Sequence, residues 1–218
     1  GHSAEYQAQA LIDIGFDLHA RQLDLEAVDS VLIRTSHHTH TVIGTGSGDP
    51  EKMDPDASRE TLDHSAMYIL TVAWEDGRWH HVDSYTPERA RRDSTVKLWQ
   101  KVRTEEVEEW TAAYHDSNFR HKKFGAEVVV EMKDGSQIVE CLDNPNAHSL
   151  GARPFTRPQY VEKLRTLAAG IAEDVEIDRF ITCVERLPDL TVEEVRQLNV
   201  EIPTNRLEDS DAERVGLF

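Results

Sequence analysis

Apolar positions recur along this chain with two periods, and the switches between them divide it into elements. From Glu5 to Arg21, Ala8, Leu11, Ile12 and Phe16 fall at three- and four-residue intervals, which predicts an amphipathic helix with Gly15 as a tolerable weak point. Residues 28–35, VDSVLIRT, are rich in β-branched side chains and predict a strand. Between Ser58 and Gly77 the helical spacing returns in Leu62, Ala66, Ile69, Leu70 and Ala73. Ser58 is placed to cap this helix, Glu60 and Asp63 fall in its first turn, and Gly77 ends it. Pro87 opens a predicted helix through ERARRDSTVKLWQKV, and Thr104 caps another running to Tyr114, with Val107, Trp110 and Tyr114 on its apolar side. The strongest β signal is AEVVVEMKDGSQIVECLDN, where residues 127–132 and 137–142 flank an Asp-Gly turn and predict a hairpin. After Gln159 three helical runs follow, and the polar tail beyond Pro203 is expected to fray. This order predicts an α+β fold, a small antiparallel sheet with packed helices.

Composition narrows the classes of function. Hydrophobic residues make up 39% of the 218 positions and charged residues 30%, enough apolar content for a folded core. The formal net charge of −17 opposes a nucleic-acid partner, whose phosphates require a basic surface. Local basic islands at Arg89 to Arg92, Arg120 to Lys123, and Arg153 with Arg157 leave room for an anionic small molecule. No apolar run reaches the roughly 20 residues that span a bilayer, so a cytoplasmic protein without a membrane partner is expected. Cys141 and Cys183 sit in apolar settings and are read as buried free thiols. The stretch from Thr41 to Asp56 holds Gly44, Gly46, Gly48, Pro50 and Pro55, reads as a surface loop, and lacks the Lys-Ser/Thr of a phosphate-binding loop.

Two groups invite chemistry. SHHTH offers His37, His38 and His40; continued as a strand it puts His38 and His40 on one face and His37 on the other. A metal is the lesser reading there, because no partner motif of a zinc or facial-triad site accompanies it. His64 and Tyr68 stand four apart in the predicted helix, so an imidazole of tunable charge and a phenol share one face. By residue type alone, a satisfied histidine and a packed tyrosine are the plainer reading.

AEYQAQ, SHHTH, KMDP, DHSAMY, TAAYHDSNFR, the KDGS turn and GARPFTRPQYVEKL occur in the same order as in bacterial 2-methylcitrate dehydratases. The chain resembles the C-terminal portion of that family, MmgE/PrpD, over nearly its whole length. The resemblance implies an α+β lid over residues 1–155 and, over 156–218, helices that return to a separate helical half. It implies loss of water from 2-methylcitrate, giving 2-methyl-cis-aconitate in propionate breakdown through the methylcitrate cycle. The substrate is then a tricarboxylate, no cofactor or metal is needed, and the full-length enzyme is a homodimer. Cis-aconitate decarboxylation on the same fold and a non-catalytic acidic or metal-binding module are the alternatives. Carried over residue by residue, Tyr68 becomes a proton or hydrogen-bond donor to substrate, His64 its neighbour facing the cleft, and Arg153 a carboxylate contact. Gln7 stands where the family often has histidine. Two further expectations follow: the isolated chain is inactive, and the first helix and those after Gln159 leave apolar faces exposed.

Overall fold

The computed structural model describes residues 1–204; Asn205 to Phe218, most of the tail expected to fray, lie outside the described residues. The chain divides into two compact units, Gly1–Pro154 and a second that begins at Phe155.

The first unit is built on a four-stranded sheet in the order β2-β1-β3-β4, with β1 Val28–Thr35, β2 Val102–Glu106, β3 Ala126–Met132 and β4 Gln137–Leu142. The fold is α+β, and β1–β3 and the β3–β4 hairpin are antiparallel as the pattern predicts. The fourth strand, β2, adds to β1 in parallel. It occupies VRTEE, which the sequence reading divided between two helices. Thr104 is therefore a buried strand residue, and Val107 caps the following helix α7, Glu108–His115, instead.

Alternation along the strands gives one apolar face, with Val31 and Ile33 of β1 beside Val128 and Val130 of β3. On the other face Arg34 bridges its two neighbouring strands, reaching Glu105 at 2.8 Å and Glu127 at 3.1 Å. Against the apolar face pack α1, Gln9–Ala20, and a long central helix, Ala66–Asp76. Gln9 to Gly15 are all buried, so α1 is an interior helix and its expected exposed apolar face is absent. Gly15 is the point of closest approach. A methyl there would lie 2.6 Å from the Ala73 Cβ and 3.0 Å from the Trp74 amide nitrogen.

The single helix expected from Ser58 to Gly77 is two. Ser58 caps α3, Arg59–Asp63, and Gly77, at φ 61°, closes the central helix, as expected at both ends. Between them His64 leaves helical geometry at φ −107°, ψ 24°, and Ser65 turns extended and caps the central helix α4. The Ser65 oxygen accepts the Tyr68 N–H at 3.2 Å, while its hydroxyl donates to the Lys52 carbonyl at 2.7 Å. A serine bonded in both directions stabilises the break more than a continuous helix would. The Pro87 helix likewise divides into α5, Pro87–Ala90, and α6, Asp93–Trp99. SHHTH does not extend β1: Ser36 caps a short helix α2, His37–Val42. Cys141 is exposed and Cys183 half-buried, so both are free but neither is buried, Cys141 because it lies on the outer face of edge strand β4.

In the second unit α8, Arg157–Ala168, packs on α9, Asp174–Glu185, and α10 spans Val192–Arg196. Its apolar side chains are largely uncovered, with Val175 76% and Val192 77% exposed. No helix among the described residues is long and apolar enough to cross a membrane.

Candidate functional site

The segment that leads into α1 and the break between α3 and α4 meet in one polar cluster. Glu5 takes an extended conformation, and its carboxylate accepts the Gln7 N–H at 2.6 Å, capping the 3-10 turn Tyr6–Ala8 that precedes α1. Burial pushes the Glu5 carboxyl above the usual carboxylate range; the Gln7 N–H and the charge of nearby His64 oppose that shift without cancelling it. His64 presents a half-exposed ring, with Nδ1 3.0 Å from the Glu60 carbonyl and 3.7 Å from the Asp63 carboxylate.

Beneath this pair the chain is pinned. The Tyr85 hydroxyl lies 2.5 Å from Asp63 Oδ1 and 3.0 Å from the Ser3 carbonyl, and Trp79 Nε1 donates to that same carbonyl at 3.1 Å. Burial and the Asp63 carboxylate raise the Tyr85 pKa, so the phenol stays protonated and its proton holds these oxygens together. The Arg59 guanidinium stacks on the Tyr85 ring, 4.6 Å from its centre. Two segments distant in sequence, 3–5 and 59–64, are thereby fixed to each other.

The residues expected from sequence are not all gathered here. His64 lies in the break between α3 and α4 and Tyr68 within α4, so the two do not stack. Tyr68 is fully buried; its hydroxyl donates to the Ser84 carbonyl at 2.6 Å, and its ring packs 5.0 Å from that of Trp99. Burial raises its pKa. Arg153 is exposed, with its backbone N–H on the Asn146 carbonyl and its charge acting on Asp17. Among the described residues Arg153 makes no hydrogen bond, ion pair or ring contact with Glu5 or His64. Glu5, Asp63 and Tyr85 are members that sequence reasoning missed. The available signal for Glu5 was an acidic residue directly ahead of an apolar helix; Tyr85 gave none.

The three histidines of SHHTH do not converge. His37 Nδ1 is 2.6 Å from Glu106, His40 Nδ1 is 2.7 Å from the Thr104 hydroxyl, and His38 stacks on Tyr114. Among the described residues no three His, Cys, Asp or Glu side chains are grouped to hold a metal ion.

The first unit is an α+β domain in which a carboxyl with a raised pKa stands within electrostatic reach of an imidazole. The family model for the MmgE/PrpD C-terminal domain matches residues 2–189. The chain belongs to the MmgE/PrpD family and represents its C-terminal portion; members of this family are generally dehydratases or other lyases.

Proposed function

We propose that this chain supplies part of the acid–base site of a hydro-lyase that removes water from 2-methylcitrate to give 2-methyl-cis-aconitate, in propionate breakdown. The observation that carries the reading is Glu5, a half-buried carboxyl raised in pKa by burial, on a segment that the Tyr85 hydroxyl ties to the one carrying His64. Dehydration needs one group to take the proton from the carbon next to a carboxylate, whose C–H electron pair becomes the new C=C bond. A second group must protonate the departing hydroxyl, so that water leaves. Glu5 fits the second role, since a raised pKa keeps more of it protonated; His64 returns a proton to it after each turnover. Arg59, stacked over Tyr85, is a cation able to hold a substrate carboxylate beside the pair. Arg153 can do so only from a different part of the substrate pocket. Tyr68 enters as a donor only if its hydroxyl leaves Ser84. No cofactor is invoked, and the working enzyme is a cytoplasmic homodimer containing the helical half that the resemblance implies.

The test is turnover of 2-methylcitrate by the full-length protein, read as the ultraviolet absorbance of the new double bond. Loss of at least ~100-fold in kcat is expected for Glu5→Gln, within the usual contribution of a proton-transfer group. Release of CO2 from cis-aconitate with no turnover of 2-methylcitrate would replace the dehydratase reading with a decarboxylase one.

A further inference from the structure

SHHTH is the motif that the proposed reaction leaves unused, and the structure sorts its imidazoles. His37 is bonded to Glu106, whose other oxygen accepts the Thr111 hydroxyl at 2.8 Å, so it belongs to a surface clasp between α2 and α7. His40 is bonded to the buried Thr104 hydroxyl and packs beneath Gly46, a structural setting. His38 is exposed, and its ring centre lies 5.4 Å from that of Tyr114.

What singles out His38 is Gln7, which is buried and sits between it and Glu5. With its NH2 towards the carboxylate and its oxygen towards the imidazole, Gln7 donates to Glu5 Oε2 at 2.7 Å and accepts from His38 Nε2 at 2.7 Å. The opposite orientation would set the amide oxygen against Glu5 Oε2, which already accepts the Gln7 backbone N–H and stays an acceptor when Oε1 carries a proton. Only an N–H can face that oxygen, so neutral His38 carries its proton on Nε2 and presents Nδ1 as a lone pair. Among the described residues Nδ1 of His38 has no hydrogen-bond partner.

We propose that His38 is the base of the lyase site and that Gln7 is the positioning residue that fixes its tautomer and ties it to Glu5. The inference rests on the proposed lyase reading and adds the group which that reading lacks. His38 Nδ1 takes the proton from the carbon beside a substrate carboxylate. The C–H pair forms the double bond, the C–O bond breaks, and the hydroxyl leaves as water with the proton from Glu5. The ligand class is a polycarboxylate bearing a hydroxyl one carbon from the acidic C–H.

Two measurements test this. Ring-nitrogen NMR of the chain itself reads the tautomer: neutral His38 is expected almost wholly with its proton on Nε2, and Gln7→Leu is expected to scramble it. A proton on Nδ1, or an even mixture in the unaltered chain, overturns the assignment. Kinetics of the full-length protein reads the role. His38→Gln should lower kcat at least ~100-fold with KM changed less than about threefold, Gln7→Leu about tenfold, and His37→Gln less than about twofold. An unaltered protein inactive on hydroxy-tricarboxylates overturns the lyase reading, and the base role with it. An active one whose His38→Gln variant keeps its turnover overturns the role of His38 alone.

Discussion

Tyr68→Phe separates the two roles that sequence and structure give to one hydroxyl. The substitution keeps the ring, packed 5.0 Å from Trp99, and deletes the oxygen that donates to the Ser84 carbonyl at 2.6 Å. Tyr68 is fully buried and Ser84 nearly so, so the carbonyl loses its partner where water cannot readily replace it. Leaving a buried acceptor unsatisfied costs about 1–3 kcal/mol. For a protein of this size each kcal/mol moves Tm by roughly 2–4 °C, so a fall of about 2–12 °C is expected in a thermal melt. Turnover of 2-methylcitrate, measured well below the new Tm, should then change less than about threefold if the hydroxyl keeps its bond to the Ser84 carbonyl throughout turnover. A donor to the leaving group would instead cost ~100-fold or more in kcat. Unchanged Tm with a hundredfold loss of turnover would refute the buried-support reasoning and restore Tyr68 to the reacting atoms.

Other perturbations read the frame around the site. Gly15→Ala should destabilise by about 1–3 kcal/mol in denaturant titration, because the methyl would press on Ala73 and Trp74; helix propensity alone predicts a gain of up to about 1 kcal/mol, so a gain would contradict the close packing. Arg89, only 5% exposed at its side chain, bonds Glu75 and Asp76 at 2.8 Å each. Arg89→Met should cost about 3–5 kcal/mol by leaving Glu75, 4% exposed, uncompensated, and Arg89→Met with Glu75→Gln should recover part of that loss; strict additivity in the melts would disprove the coupling. The raised pKa of Glu5 means that the folded state holds its proton more tightly than the unfolded state. The stability contribution is therefore full below the unfolded value near 4.5 and is lost as pH rises through the folded pKa. Glu5→Gln should accordingly gain stability relative to the unaltered protein at neutral pH and lose that advantage below about pH 4.5; an advantage growing towards acid pH would reverse the sign and the assignment.

The strands facing the core were legible where one period governed the residues. β1 follows its β-branched run, and the hairpin follows the Lys-Asp-Gly-Ser turn, with Gly135 at φ 85°. The parallel strand β2 was not legible, because VRTEE has only two apolar-side positions, Val102 and Thr104, and its glutamates imitate the first turn of a helix. Interior helices were recognised as helices but misjudged in depth. Residues 66–74, AMYILTVAW, are apolar all round but for Thr71, the mark of a helix surrounded by protein, so the i, i+3, i+4 stripe understates how deeply it is buried. In the candidate site His64 could be found by its chemistry. Tyr85 and Trp79 could not, since their importance comes from contacts spanning 22 to 82 residues of sequence.

The break at His64 and Ser65 explains how one segment can serve both the core and the site. In a continuous helix residues 64 and 68 lie on the same face one turn apart. Tyr68 is enclosed on all sides, so an uninterrupted helix would draw His64 towards the same interior, where an imidazole loses its charged form to desolvation. With Ser65 turned extended to cap α4, the apolar run from Ala66 to Trp74 can bury completely while His64, outside both helices, keeps a ring 49% exposed and within electrostatic reach of Glu5. The cost of interrupting the backbone ladder is offset by the two bonds of Ser65 and by the Ala66 N–H, which finds the Ile43 carbonyl at 2.9 Å. That last bond reaches the end of α2, the helix that carries His38. The same interruption that brings His64 to the surface therefore ties α4 to the element bearing the proposed base, so His64 and His38 are joined through one hydrogen-bonded backbone framework.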